Sequence, residues 1–393
     1  MSDRPLFYAV VALFTLSLVM IYSLSTFATL YFGYDSLHFF LRQAIAVLLG
    51  IAILYGLSWL DPDRWFVPLG FAIFILSLLA MLAMPFLPET LVKTVLGAKR
   101  WIRLGPLSVA PVEFFKVGFV FFIAWSFARK LAHKGKLSLF QEIRILLPYL
   151  LVFALAVVLI AIFQKDLGQV VVLAATFMVL FVMAGRSLKL FVLFVLLGFF
   201  GIVGLILIAP HRMHRILSWW STVQDNFLSF FPRSMVERLR VPEVSEPYQI
   251  SNSLNAIYNG HWFGQGLGNG QFKLGYLSEV HTDFILSGLS EELGYVALVG
   301  VSLLMLFIVF RLLQIASRLR EPAYYLYTVG VALLILFAFI VNSYGISGIT
   351  PVKGIAVPFL SYGGSQILAS SIAVGMVLMV SKKIEAKKRG EKR

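Results

Sequence analysis

The sequence predicts an all-α, polytopic integral membrane protein with about ten transmembrane helices and one large external loop. Of its 393 residues, 60% are hydrophobic and 13% are charged. A soluble domain has about 45–50% apolar and about 25% charged residues. Apolar runs of about 18 residues or more recur along the whole chain, which is typical of membrane-spanning helices. We therefore expect residues 1–393 to form a single membrane domain.

Composition excludes several classes of protein. The chain contains no cysteine, which excludes disulfides, thiolate chemistry and Cys-ligated metal sites. The net charge of +14 could indicate nucleic acid, but the basic residues are spread among the membrane segments, so we expect no nucleic-acid partner. The first apolar run is too long for a signal peptide, and we expect it to be a retained helix.

Ten apolar runs have the length of a transmembrane helix, and an even number places both termini on the same side of the membrane. The predicted spans are 6–31, 38–60, 65–86, 109–131, 145–163, 168–185, 188–209, 283–313, 323–344 and 357–381.

The distribution of Lys and Arg predicts the orientation. Most of the 33 basic residues flank the spans on the terminal side, which predicts that both termini are cytoplasmic and that the loop 210–282 is periplasmic. The tail 382–393 is then a basic cytoplasmic segment. Two external loops, 87–108 and 210–282, are also basic. Either they cross the membrane regardless of charge, or they attract an anionic substrate. The piece 216–231 is rich in Trp and Phe, which suits the headgroup zone.

Charged residues near the external end of the fourth span form the first candidate group. Glu113 and Lys116 are three residues apart on one helical face, and they form either a structural ion pair or the wall of a substrate cavity. Just upstream, Lys99 and Arg100 could bind phosphate, and Trp101 could pack against lipid or sugar.

Two external turns form further candidates. In FQKDLGQ, between the fifth and sixth spans, Gln164 and Asp166 either hydrogen-bond a carbohydrate or hold the turn. In TPVKGIAVPFLSYGGSQ, at 350–366, several Pro and Gly residues break helical regularity where the last span begins. Lys353 and Ser361 line a cavity there, or the broken helix simply packs against its neighbours.

Asp283 is the candidate catalytic residue. It lies where a glycine-rich loop, 261–284, meets the eighth span. A helix N-terminus stabilises an anion, but it also favours Asp as a simple cap, so both roles are open. Glu291 and Glu292 lie about 12 Å deeper along the helix, and we expect them to be buried structural partners. All of these groups map to the external half of the membrane, which favours one common site.

Several stretches together resemble the SEDS (shape, elongation, division and sporulation) family of membrane peptidoglycan glycosyltransferases. They are RW at 100–101, PVEFFK at 111–116, DLG at 166–168, GLG at 266–268, HTDF at 281–284, EELG at 291–294 and PFLSYGGS at 358–365. The stretches HRMHRI, QFKLGYL and PVKGI are closer to division-type members than to elongation-type members.

This resemblance implies polymerisation of lipid II into β-1,4-linked glycan with release of undecaprenyl pyrophosphate. Asp283 would be the general base that takes the proton of the attacking sugar hydroxyl. A basic cradle would stabilise the pyrophosphate, with Lys99, Arg100 and Lys116 as contacts and Glu113 orienting Lys116. The remaining substrate-binding candidates are Trp101, Lys353 and Ser361.

The resemblance also implies cofactors and partners. It suggests a divalent cation such as Mg²⁺ or Mn²⁺, although the sequence contains no ligand cluster of recognisable spacing. The expected partners are lipid II, the undecaprenyl-pyrophosphate-linked glycan, a class B penicillin-binding transpeptidase and other divisome proteins. Three alternatives are an elongation-type polymerase, a lipid II flippase and a scaffold that only recruits the transpeptidase. The absence of a visible inverted repeat and the one-sided polar groups argue against a transporter.

Overall fold

The computed structural model describes residues 3–94, 97–105, 107–130, 139–185, 188–208, 210–229, 231–241, 248–351 and 354–390. Within these ranges the chain is mainly helical. The helices are α1 Arg4–Leu24, α2 Thr26–Phe32, α3 His38–Trp59, α4 Pro62–Ala83, α5 Pro111–Lys130, α6 Leu139–Val158, α7 Leu167–Met183, α8 Leu188–Leu207, α9 Pro210–Leu228, α10 Arg233–Leu239, α11 Tyr248–Asn259, α12 Ile285–Ala316, α13 Pro322–Ile346 and α14 Gly364–Gly390. Two short strands, β1 Ile102–Leu104 and β2 Leu107–Val109, pair in antiparallel orientation.

Membrane spans account for most of this helical structure, which confirms the predicted fold class. In the described part of the chain, nine helices are long and apolar enough to cross a membrane. The sixth predicted span, 168–185, corresponds to α7, an apolar helix of 17 residues that would extend only ~26 Å. The expected number of ten is therefore reached only if this shorter helix also spans the bilayer.

The first predicted span is divided in the structure. Helix α1 ends at Leu24, and the short helix α2 follows after Ser25. The hydroxyl of Thr26 donates to the carbonyl of Ser23 at 2.8 Å. Polar side chains that bond nearby backbone groups compete with regular helix, so the single run 6–31 was too long a prediction.

Helices α5, α13 and α14 form the interior of the bundle. Most residues of each are buried, whereas few residues of α8 are. Between α4 and α5, an added Cβ on Gly118 would lie 2.5 Å from the Cα of Phe74. This glycine therefore lets two backbones approach closely, which is how membrane helices gain packing energy without a hydrophobic driving force between them.

Helix α12 is interrupted at Gly294, whose φ of 82° and ψ of 176° are not helical. The chain segment 261–266 lies against the interruption and exchanges four backbone hydrogen bonds with it. These bonds run from Gln265 N to Glu291 O, Gly266 N to Glu292 O, Tyr295 N to His261 O and Val296 N to Trp262 O. The loop therefore satisfies the backbone groups that the break leaves without helical partners.

Glu291 and Glu292 are fully buried, as predicted, and both anchor the external loop. Glu292 pairs with the buried Lys273 at 2.6 Å and accepts a hydrogen bond from Ser23 of α1. Glu291 accepts from the backbone N–H of Gln271 at 2.7 Å. Because each buried carboxylate is paired or hydrogen-bonded, these two residues fasten the loop to α12 and α1.

Irregular backbone precedes α14, as the prolines and glycines of this stretch predicted. Phe359 has a φ of 65° and is completely buried. Ser17 of α1 donates to the carbonyl of Leu360 at 2.6 Å, and Gln43 of α3 donates to that of Ser361 at 3.2 Å. Polar side chains from two spans thus satisfy backbone groups that could not face lipid.

Candidate active site

Asp283 lies in the turn before α12, which begins at Ile285, so it is outside the membrane-spanning helix. The residue is partly exposed, and its carboxylate packs against Gly354, where an added Cβ would lie 2.7 Å from Oδ2. The cap residue of α12 is Phe284, and no side chain caps this helix end. The alternative role of Asp283 as a simple helix cap is therefore not what the structure shows.

The electrostatic surroundings of Asp283 favour its protonated form. Burial, and then the negative charges of Glu279 and Asp166, raise the pKa of Asp283 to about 7, against the opposing effect of Arg100. A carboxyl group with an ordinary pKa of about 3.9 is fully ionised at neutral pH and is a weak base. Near pH 7 this group can both accept and release a proton, as a general base must.

Asp166 is a second carboxylate of the same site. It precedes α7, and its Oδ1 caps that helix by accepting from the backbone N–H of Gln169 at 3.2 Å. Burial raises the pKa of Asp166, while Arg100 and Lys116 act in the opposite direction. The turn of the sequence FQKDLGQ is thus both a helix start and part of the charged site.

Arg100 is held beside the two aspartates by backbone carbonyls. Its Nε donates to Gln164 O at 2.9 Å, and its Nη2 donates to Lys165 O at 3.2 Å. Among the residues that the structure describes, no carboxylate lies within salt-bridge distance of the guanidinium. Arg100 therefore supplies a positive charge that its surroundings do not neutralise by direct pairing.

Glu113 and Lys116 form the ion pair that their spacing predicted, and Gln169 of α7 closes it into a triangle. Lys116 Nζ lies 2.9 Å from Glu113 Oε2 and donates to Gln169 Oε1 at 2.6 Å. Gln169 Nε2 then donates to Glu113 Oε1 at 3.0 Å. Together with Gln366 and Ser370, these side chains form the polar part of the lining of an otherwise apolar cavity.

Lys99 and Trp101 are the sequence neighbours of Arg100, but their side chains have different surroundings from that of Arg100. The Lys99 ammonium donates to the carbonyl of Pro85 at 3.0 Å, which ties this loop to the end of α4. Trp101 is 42% exposed, so its ring is available for contact with lipid or sugar. Lys99 is therefore engaged in holding the loop, whereas the substrate contact of Trp101 stays a prediction.

The last two predicted residues lie before α14. Ser361 is completely buried, and its hydroxyl accepts from Val357 N at 2.8 Å and donates to Thr282 O at 2.6 Å. The expectation that Ser361 lines a cavity does not match this placement, because both functions of its hydroxyl are used within the protein. Lys353 lies outside the described residues.

The site lies at one end of the bundle. At the opposite end, Tyr324 near the start of α13 donates to Asp63 at 3.3 Å. Asn342, which donates to the carbonyl of Asp283 at 2.6 Å, follows Tyr324 by five turns of α13. Five turns span ~27 Å, close to the thickness of the hydrocarbon core of a bilayer.

Three side chains contribute to the site without a predicted role: Glu279, Gln169 and Asn342. Asn342 had a usable signal, because an amide inside an apolar span is costly and usually has a partner. Glu279 had a weaker signal, its position four residues before Asp283. Gln169 had no signal in the sequence, because its role depends on the contact between α5 and α7.

The described residues do not form a metal site of their own. No group of three or more His, Cys, Asp and Glu side chains within those ranges is arranged to hold a metal ion. Asp166 and Asp283 are close enough to influence each other, but they have no third ligand. The divalent cation therefore stays a prediction, and no chemical step below depends on it.

Comparison with known proteins identifies the family. The family described as "Cell cycle protein", named for FtsW, RodA and SpoVE, matches residues 4–386. The chain belongs to this family. The family assignment confirms the resemblance to SEDS proteins noted in the sequence.

Curated relatives of this FtsW/RodA/SpoVE family member are similar over nearly the whole chain. A protein of Helicobacter pylori named probable peptidoglycan glycosyltransferase FtsW is 44% identical over 382 residues, covering 97% of this chain and 98% of the relative. The corresponding protein of Tolumonas auensis is 33% identical, covering 88% of this chain and 84% of that relative. Both names are those of division-type members, in agreement with the preference seen in the sequence.

Solved structures share the fold of this family member. The RodA protein of Thermus thermophilus superposes with a TM-score of 0.64 at 23% identity, covering 97% of each chain. A chain from a structure that describes a peptidoglycan synthase complex coordinating polymerization and crosslinking gives a TM-score of 0.69 at 24% identity, covering 98% of each chain. These similarities support the arrangement of the helices along the whole length.

Proposed function

We propose that this FtsW/RodA/SpoVE family member is a peptidoglycan glycosyltransferase that polymerises lipid II during septal wall synthesis. The supporting observation is Asp283, a partly exposed residue whose carboxyl pKa is raised to about 7 and is influenced by Arg100, a guanidinium that pairs with no carboxylate among the described residues. The names of its full-length relatives agree with this activity.

In the proposed reaction, the GlcNAc 4-hydroxyl of one lipid II attacks the anomeric carbon of the MurNAc at the lipid-linked end of the growing chain. A C–O bond forms as the bond between the anomeric carbon and the pyrophosphate oxygen breaks. The hydroxyl proton passes to Asp283, which raises the nucleophilicity of the sugar oxygen. The electron pair of the broken bond leaves with undecaprenyl pyrophosphate.

The leaving group needs charge stabilisation rather than protonation, because pyrophosphate departs as an anion. Arg100 is the residue best suited to this role, since backbone carbonyls fix its orientation without neutralising its charge. Lys116 is less available, because Glu113 and Gln169 already engage its ammonium group. We therefore assign the pyrophosphate contact to Arg100 first.

The proposed orientation places this reaction on the periplasmic side, with both termini in the cytoplasm. Its basis is the excess of Lys and Arg around the terminal ends of the spans. The Asp283 end lies opposite the end that carries Asp63 and Lys383. A class B penicillin-binding transpeptidase and other divisome proteins are the proposed partners, and the glycan strand would pass to the transpeptidase for crosslinking.

The test is polymerisation of labelled lipid II by the purified protein, with its transpeptidase present. We expect Asp283→Asn to lower the rate by at least ~100-fold, since general base catalysis typically contributes 10²–10⁴-fold. Asp61→Asn is the matched control, because Asp61 caps α4 at the other end of the bundle and Asn caps equally well.

Three results would contradict the proposal. Polymerisation by Asp283→Asn within tenfold of the native rate would remove the assigned base. Movement of lipid II across vesicles without polymer would indicate a flippase. Normal stimulation of the transpeptidase by a protein that never polymerises would indicate a scaffold.

A further inference from the structure

The Asp283 carboxylate rests against Gly354, the first residue of the backbone segment 354–357. Any side chain there would meet the carboxylate. The next three residues are each bonded by a polar side chain. These bonds are Asn342 Nδ2 to Ile355 O at 2.7 Å, Gln366 Nε2 to Ala356 O at 3.1 Å and Val357 N to Ser361 Oγ at 2.8 Å.

Two of these side chains also bond the turn that carries Asp283. Asn342 Nδ2 donates to Asp283 O at 2.6 Å, and Ser361 Oγ donates to Thr282 O at 2.6 Å. Asn342 is 1% exposed and Ser361 is fully buried, so little water can replace either bond. Each side chain is thus a bridge between the Asp283 turn and the segment 354–357.

We infer that Asn342 is a positioning residue for catalysis, which with Ser361 holds the Asp283 turn against the segment 354–357. This inference rests on the proposed function of Asp283 as the base. Asn342 takes no proton and touches no substrate. It acts by keeping one carboxylate at a fixed place, and displacement of a reacting group by about 1 Å can cost ~100-fold in rate.

The geometry of Asn342 explains why an amide is suited to this role. Its single nitrogen carries two N–H groups, and each is given to a carbonyl of a different segment. Alanine at this position would leave two buried carbonyls without donors, and the segments would separate or admit water. Serine would keep one donor and hence one half of the bridge.

The absence of cysteine from the chain allows a direct measurement of position. In Asp283→Cys the only thiol of the chain stands at the site, and a membrane-impermeant methanethiosulfonate reagent reports its accessibility. We expect Asn342→Ala in this background to raise the modification rate at least about fivefold, because thiol reactivity follows exposure. A rate within about twofold of the background would overturn the inference.

A matched control removes an equivalent bond elsewhere. Asn252 of α11 is 9% exposed and donates to Tyr276 O at 2.6 Å, so Asn252→Ala loses a hydrogen bond of the same length. This variant should leave the modification rate unchanged. If Asn342→Ala fails to fold, Ser361→Ala in the Asp283→Cys background removes the second bridge. We expect the same rise of at least about fivefold in its thiol-modification rate.

Activity supplies a second readout in the chain that retains Asp283. We expect Asn342→Ala to lower kcat about tenfold while KM for lipid II stays within about twofold, because a positioning residue acts on the reacting geometry. Asn342→Ser should recover part of the loss. The pH at half-maximal rate should also move, since a displaced Asp283 has different neighbours. A loss confined to KM, or to the amount of folded protein, would contradict the inference.

The two readouts separate this inference from the proposed function. Thiol modification measures the position of residue 283 whether or not Asp283 is the base. If Asp283→Asn still polymerises while Asn342→Ala exposes the thiol, the assigned base is wrong and the bridge stands. If Asp283→Asn is inactive and Asn342→Ala changes neither readout, the bridge is wrong and the base stands.

Discussion

The rate of polymerisation should depend on pH around neutrality, because the pKa of Asp283 is raised to about 7. A general base works when it is deprotonated, so the rate should rise with pH. With this pKa, about 9% of the carboxyl groups are ionised at pH 6 and about 91% at pH 8. We therefore expect kcat/KM to increase about tenfold over this interval. An ordinary aspartate, with a pKa of about 3.9, would give a change of under about 1%.

The substitution Glu279→Gln tests the cause of this shift. The negative charge of Glu279 raises the pKa of Asp283, so its removal should lower that pKa and move the rise in rate to lower pH. The assay is the initial rate of lipid II polymerisation between pH 5.5 and 8.5 at subsaturating substrate. Glu89→Gln, in an exposed loop, is the control and should leave the profile in place.

Two results would refute this reasoning. A flat profile between pH 6 and pH 8 in the native protein would show that no group with a pKa near 7 controls the step. A shift to higher pH in Glu279→Gln would show that the Glu279 charge does not act on Asp283 as its position suggests.

Three further predictions concern stability, measured by thermal or denaturant unfolding in detergent. Lys273→Met should lower the free energy of unfolding by about 3–5 kcal/mol, because it leaves the buried, charged Glu292 without its cationic partner. Lys383→Ala breaks an exposed ion pair and should lower the free energy of unfolding by about 0–1 kcal/mol. Equal losses would contradict the buried network. Gly264→Ala should cost more than about 1 kcal/mol, because φ is +83° and the new Cβ would lie 2.2 Å from Glu292 O. Asp283→Asn should stabilise the protein at pH 8 but not at pH 4: the folded pKa is raised, so stability is lost as pH rises from about 4 towards 7. Equal stabilisation at both pH values would contradict the shift.

The sequence was sufficient to predict the features that depend on short chain segments. Long apolar runs predicted the spans, and the spacing of Glu113 and Lys116 predicted their ion pair. Asp283 lies at the junction of loop and helix, as predicted, and the depth of Glu291 and Glu292 predicted their burial. Each of these features depends only on residue spacing along one helix or on the position of one helix end, and both can be read from a short stretch of sequence.

Features that depend on contacts between distant segments were not predictable in the same way. Arg100 and Asp166 lie near enough to Asp283 to influence its charge because three separate loops converge. A common site was expected, but no local spacing predicts which of its side chains become neighbours. Ser361 was expected to line a cavity because irregular backbone at membrane depth is tolerated where protein or a cavity surrounds it. Its actual partners, Val357 and Thr282, include one that lies 79 positions away in the chain.

The interruption of α12 at Gly294 also bears on the thickness of the bilayer. A straight helix of 32 residues would measure ~48 Å, far more than the ~30 Å of hydrocarbon that it must cross. The portion from Tyr295 to Ala316 measures ~33 Å and is long enough by itself. The portion 285–293 therefore does not need to cross lipid. It is held by protein through Glu291 and Glu292, and it begins directly after the turn that carries Asp283.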